Sequence, residues 1–331
     1  MKHVLIAHQS PLELRLLCNR LEGQFDVQVE RAVTDLSQTY DFVEHYNPTC
    51  VVLSYELDNC AEFELLGALL RILKIGCVIV DSPQRKDCAL PLLRTSKHFV
   101  RICHDAEPND LLAAVCQSNI AINRQLPCKK APFRGKNYDE RRLILLGAST
   151  GGVDALLNVI KMFTPDCPPT FVVQHTGGQF SRSLIRLLNG GTTAKVCCAR
   201  DGSPIQRGHI YLAPDDTCHL QLGRGELPNI RLAKTDPVSG HRPSIDQLFH
   251  SAVYLAPFVT AALLTGMGRD GAAGITALRH AGATTIGQDQ ATSVVYGMPR
   301  MAAELGGIMR QLPIDQIGPA LLQSSQTRSH V

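Results

Sequence analysis

The chain has 331 residues, 44% of them hydrophobic, and a formal net charge of +3; that length suits two ordinary cores, and scattered Lys and Arg with so small a charge exclude a nucleic-acid footprint. No apolar run approaches the roughly eighteen residues of a membrane helix, and the N-terminal MKHVLIAHQS lacks the apolar core and cleavage site of a secretory signal, which together predict a cytoplasmic protein with no membrane insertion. Twelve cysteines without a C-x-x-C pair read as reduced, mostly buried small hydrophobes, so neither a disulfide framework nor a metal site is expected.

In chain order, residues 1–120 alternate short β-branched runs with helical patterns: Val4–Ala7, Pro11–Leu21, Val51–Ser54, Cys77–Val80, His98–Ile102 and Asn109–Val115. This is the pattern of a βα repeat around a parallel sheet. Periodicity then fails from 121 to 140, where Pro127, Pro132, Gly135 and a cluster of basic residues predict a solvated linker. A second βα series fills 141–327, with strand Leu143–Leu146, helix Val153–Phe163, strand Thr170–Gln174, helix Ser244–Tyr254, strand Phe258–Leu264, helix Ala272–Ala281 and strand Thr284–Ile286. Short strands at His209–Leu212 and His219–Leu222 read as hairpin additions, and the polar tail after Gln323 as frayed. The expected fold class is α/β, with two doubly wound domains.

Chemistry concentrates where strands of the second series end. Gly147-Ala-Ser-Thr-Gly-Gly152 joins a buried strand to a helix, so Ser149 sits on a sharp turn with the free N–H groups of a helix start beside it. A nucleophile turn, a phosphate-binding loop and a plain connection all fit; the missing Lys excludes a Walker loop, and the spacing is not G-x-G-x-x-G. The next parallel strand runs into His175, and a right-handed crossover sets that strand end beside Ser149, within reach for an imidazole acting as general base. A third strand end leads through Gly266-Met-Gly-Arg-Asp270, whose carboxylate can orient the histidine or cap the following helix. Asp215, Asp216, Asp246 and Asp289 are its rivals, Asp289 the strongest, and spacing does not separate them. The order Ser, His, Asp differs from that of α/β-hydrolases, so a convergent triad is implied.

These residues, together with Gln174-His175, Gly208-His-Ile-Tyr-Leu-Ala-Pro214, His241-Arg-Pro-Ser-Ile-Asp246, Thr265-Gly-Met-Gly-Arg-Asp-Gly271 and Gln288 to Pro299, resemble the catalytic domain of the chemotaxis protein-glutamate methylesterases, the CheB family. The resemblance implies Ser149 as nucleophile, His175 as base and Asp270 as its orienting residue, with Met267 backbone in the oxyanion hole and Thr150 beside the histidine. It further implies hydrolysis of glutamate γ-methyl esters on the cytoplasmic helices of methyl-accepting chemoreceptors, with glutamine deamidation as a second activity and no cofactor. His241 and Arg242 match the family but stay outside the catalytic set, Arg242 being read as a loop-fixing residue. A non-catalytic signalling module and a hydrolase of a small-molecule ester or amide are the competing readings.

Family members commonly begin with a phospho-receiver, and residues 1–120 have its order of elements in a flavodoxin-like arrangement. The acids that would hold Mg²⁺ after the first strand are His8 and Gln9 here, Ser54 stands at the phospho-acceptor position, and Arg101 or His104 lies near the usual lysine. Asp81 and Glu56 are the nearest acids. The expectation is a degenerate receiver that is not phosphorylated and that docks a histidine kinase or another signalling protein.

Overall fold

Parallel pairing organises both halves of the chain in the computed structural model, which describes residues 1–24, 26–58, 63–81, 99–118, 138–176, 181–214, 217–224 and 228–326. The chain divides into two units, Met1–Cys128 and Lys129–Val331. The expected linker lies largely outside the described residues. Its end does not: Tyr138 is buried and bridges Gln326, and the Asp139 N–H donates to the Ser325 carbonyl, so both ends of the second unit are tied together.

In the first unit, β1 (Lys2–Ala7), α1 (Pro11–Leu21), β2 (Val27–Val33), α2 (Leu36–Tyr46), β3 (Cys50–Ser54), α3 (Tyr55–Asp58), α4 (Phe63–Leu73), β4 (Gly76–Val80), β5 (Phe99–Ile102) and α5 (Pro108–Gln117) follow one another. The five strands pair in parallel in the order β2-β1-β3-β4-β5, the flavodoxin-like order expected. Ser10 caps α1 by accepting from Glu13 N, and Asp35 caps α2 by accepting from Gln38 N, each filling an otherwise unmet donor of a first turn. β2 is absent from the apolar runs because, at the sheet edge, most of its side chains face water.

The second unit contains β6 (Leu143–Ala148), α6 (Gly152–Ile160), β7 (Thr170–Gln174), α7 (Ser181–Gly191), β8 (Lys195–Cys198), β9 (His209–Leu212), β10 (His219–Gly223), β11 (Asn229–Ala233), α8 (Ile245–Ser251), β12 (Val259–Leu263), α9 (Ala272–His280), β13 (Thr284–Gln288), α10 (Met298–Glu304), β14 (Arg310–Leu312) and α11 (Ile314–Ser324). Seven strands form one parallel sheet in the order β14-β13-β12-β6-β7-β9-β8. β10 and β11 make the antiparallel hairpin. His209–Leu212 is not part of that hairpin: as β9 it joins the main sheet between β7 and β8, its three apolar residues fully buried. The chain beyond Gln323 is likewise not all frayed, since α11 runs to Ser324; residues 327–331 lie outside those described.

One core lies between the sheet and α8, α9 and the hairpin, built from Leu145, Phe171, Val173, Leu220, Phe249 and Leu263 among others. The central strands β6, β7 and β12 are buried along their whole length, as a sheet covered on both faces requires. Among the described residues no helix is long and apolar enough to cross a membrane. The described cysteines are all free thiols.

Candidate active site

Register brings the three strand ends together. β6 lies between β7 and β12, with Ala148 opposite Gln174 and Gly147 opposite Leu263; Ser149, His175 and the loop 264–271 therefore leave the sheet side by side. The His175 N–H still donates to the Ala148 carbonyl at 3.1 Å, extending the ladder by one step. This C-terminal edge, at the centre of a parallel sheet, is where such folds place their sites.

Ser149 is held by its backbone. Its N–H donates to the Thr265 carbonyl at 3.0 Å, and its own carbonyl accepts from Gly152 N at 2.7 Å and from the Gln174 side-chain amide at 2.9 Å. The turn into α6 passes through Gly151 at φ 79°, where a Cβ would also meet the Val294 side chain at 2.5 Å, so both conformation and space demand glycine. Gly266 matters for space alone: a Cβ there would lie 2.7 Å from the Ser149 Cβ.

His175 is nearly buried, its side chain 9% exposed, and its Nε2 lies 2.9 Å from Asp270 Oδ2. A carboxylate only accepts, so Nε2 carries the proton and Nδ1 is left with the lone pair. That Nδ1 is buried and has no hydrogen-bond partner among the described residues. A buried acceptor left open costs stability, and a nucleophile's proton is what it could take.

Asp270 is 1% exposed and surrounded by donors. Oδ1 accepts from Ser244 Oγ (2.8 Å), Asp246 N (3.1 Å) and Gly271 N (3.1 Å), and Oδ2 from Ile245 N (2.8 Å) as well as from His175. Asp270 therefore meets both His175 and the first N–H groups of α8; it does not cap the α9 that follows it, whose N-cap is Gly271 with no side-chain cap. Burial by itself pushes the carboxyl up; hydrogen bonds from His175, Ile245 and Ser244 outweigh it and hold Asp270 below its ordinary value. Asp246 returns the favour by accepting from Gly274 N of α9 at 2.7 Å. Burial, together with the Asp270 charge, leaves Asp246 above its ordinary value.

Two of the rivals of Asp270 are occupied elsewhere. Asp246 serves α9, and Asp289 accepts from the N–H and hydroxyl of Thr292, a local turn. Asp215 and Asp216 lie outside the described residues. Met267 is 72% exposed, and among the described residues neither its N–H nor that of Thr150 is used in a backbone hydrogen bond. Thr150 is exposed; it meets the site through its carbonyl, which accepts from Thr265 Oγ1, and makes no hydrogen bond to His175. Arg242 holds its loop by donating to the Thr235 carbonyl.

Sequence reasoning missed two supports. Ser244 is the N-cap of α8, and its hydroxyl also reaches Asp270. His219, fully buried on β10, accepts from Ser244 N at Nδ1 and donates through Nε2 to the Asp236 carbonyl; nothing in a lone His on a strand signals that. His241 stacks on His175 with centroids 3.8 Å apart and planes 9° from parallel.

In the first unit, His8 is buried and its Nδ1 accepts from Ser10 N. Burial outweighs the pull of Glu56 and Glu13 and lowers its pKa. Gln9 is exposed, and the buried Ser54 hydroxyl has no partner among the described residues. Arg101 donates to Asp81 and to the fully buried Asp58, each at 2.5 Å, so these acids face a guanidinium. Among the described residues, no group of three His, Cys, Asp or Glu could hold a metal ion.

The CheB methylesterase family matches residues 144–321. A protein-glutamate methylesterase/protein-glutamine glutaminase of Agrobacterium fabrum is 36% identical over 98% of this chain and 97% of its own length. A Caulobacter vibrioides relative of the same name is 32% identical over 98% of each chain. The crystal structure of the Thermotoga maritima CheB methylesterase catalytic domain superposes with a TM-score of 0.54 at 32% identity, covering 55% of this chain and 98% of that one.

Proposed function

The chain belongs to the CheB methylesterase family, and from that premise we propose that it is a protein-glutamate methylesterase and glutaminase acting on the cytoplasmic helices of methyl-accepting chemoreceptors, with Ser149, His175 and Asp270 as its triad. The observation that carries the reading is the buried Nδ1 of His175, without a partner among the described residues, fixed by the Nε2 bond to Asp270 and set at the same strand edge as Ser149. Ser149 Oγ attacks the ester carbonyl carbon as Nδ1 takes its proton, and the N–H groups of Met267 and Thr150 receive the negative oxygen. Collapse returns the proton to the leaving methoxide, releasing methanol; water then attacks the acyl-enzyme by the same proton path and frees the glutamate. A glutamine amide follows the same course with ammonia as the leaving group.

Methanol release from methylated receptor, compared between the native protein and Ser149→Ala, tests this. The variant is expected to lose about 10⁴-fold or more in rate; retention of activity would overturn the assignment.

For the N-terminal unit we propose docking of a signalling protein, such as a histidine kinase, without acid phosphochemistry. His8, Gln9 and Ser54 supply no carboxylate at the strand ends, and Arg101 engages Asp58 and Asp81, which supports that reading because Mg²⁺ needs carboxylate oxygens. Acetyl phosphate with Mg²⁺ is therefore expected to leave methanol release unchanged, and a several-fold rise would count against it.

A further inference from the structure

We propose that His241 is a positioning residue for the catalytic base: its ring covers one face of His175 and holds that ring at the angle that presents Nδ1 to Ser149. The proposal rests on the triad reading given above.

Asp270 restrains His175 at one atom. A single hydrogen bond at Nε2 sets the distance but leaves the plane of the imidazole free to tilt about it, and Nδ1 has no partner of its own among the described residues. The parallel stack at 3.8 Å supplies the missing restraint, since an aromatic face in contact admits sliding but not tilting. His241 is itself fixed by a tight hairpin turn. Val238 and His241 exchange both backbone hydrogen bonds, at 3.0 and 2.9 Å, across Ser239 and Gly240, which have φ of 53° and 80°, the left-handed pair that a two-residue turn of this hand requires. Three residues later the same segment becomes the start of α8, whose Ser244 and Ile245 bind Asp270. One short stretch of chain thus sets both the edge and the plane of the base.

The choice of imidazole for the cover has an electrostatic side. Burial lowers the pKa of His241, the neighbouring His175 lowers it further, and Asp270 opposes them only in part. A neutral ring then faces the imidazolium that forms on His175 during each proton transfer, offering its π face rather than a second positive charge.

The test compares full-length native protein with His241→Phe, which keeps a flat ring, and His241→Leu, which keeps bulk without one. Methanol release gives kcat and KM, and the rate of inactivation by phenylmethylsulfonyl fluoride reads serine nucleophilicity without the receptor. For His241→Leu, kcat and the inactivation rate are expected to fall together by about tenfold with KM within twofold, the scale of a small misplacement of a catalytic group. His241→Phe is expected to stay within about threefold of native. A native kcat in the leucine variant, a change confined to KM, or a phenylalanine variant as slow as the leucine one would each overturn the proposal. Failure of the underlying triad would appear separately, as Ser149→Ala still reacting with the sulfonyl fluoride.

Discussion

Asparagine at position 270 is expected to lower kcat for methanol release by about 10⁴-fold while the protein stays folded. The reason lies in which oxygen does what. Oδ1 accepts from Ser244 Oγ and from the Asp246 and Gly271 N–H groups, and an asparagine carbonyl can take over all three. Its amide NH₂ then stands where Oδ2 accepted from His175 Nε2 and Ile245 N. Nε2 must turn acceptor to meet it, which moves the ring proton to Nδ1 and removes the lone pair that would receive the Ser149 proton. Only Ile245 N is left opposed, a cost of about 1–3 kcal/mol. Alanine at the same position strands every one of these donors and is expected to lower stability further, by about 3 kcal/mol or more. Steady-state kinetics and urea unfolding of the two variants separate the effects: a kcat for Asp270→Asn within tenfold of native would mean that His175 does not depend on this carboxylate.

The second large effect is expected in the N-terminal unit. Arg101→Met should destabilise that unit by about 3–5 kcal/mol, because Asp58 is fully buried and loses its guanidinium partner. Asp81, with a side chain 31% exposed, contributes less, as solvent screens it. Arg101→Lys is expected to fall between, since an ammonium lacks the planar fork that reaches two carboxylates at once. Hydrogen exchange resolves the outcome by region. Amides of β3, β4 and β5 should lose protection in Arg101→Met while those of β6, β7 and β12 keep theirs; equal protection throughout would show that the buried pair contributes nothing.

Much of the fold was legible because the central strands are continuous apolar runs ended by glycine turns, and such runs have few alternative readings. The edges were not. β2, a strand with one neighbour and a solvated face, reads as polar coil, and the four residues His209–Leu212 carry no mark of parallel or antiparallel pairing. At the site, Ser149 and His175 could be paired by topology, since consecutive parallel strands end side by side. Asp270 could be named among rivals, but only the register of β12 beside β6 brings it to a histidine 95 residues earlier in the chain. His241 and His219 lay beyond reach for the same reason. Their roles depend on how a hairpin and a turn fold back over the sheet, which local pattern does not encode. Asp58 does not stand out in sequence beside Glu56 and Asp81, because burial of an acid is decided by the guanidinium it meets, on a strand far along the chain.

Of the groups that hold Asp270 besides His175, three are backbone N–H groups, those of Ile245, Asp246 and Gly271, and one is a side chain, Ser244. Backbone donors survive most point substitutions, because any residue but proline brings one. Sequence drift can therefore rewrite much of the 244–271 surroundings and still leave the carboxylate in a field that keeps it charged. Genetic robustness of this kind belongs to the path of the main chain rather than to any codon, and it confines the vulnerable positions to the few side chains through which protons would pass.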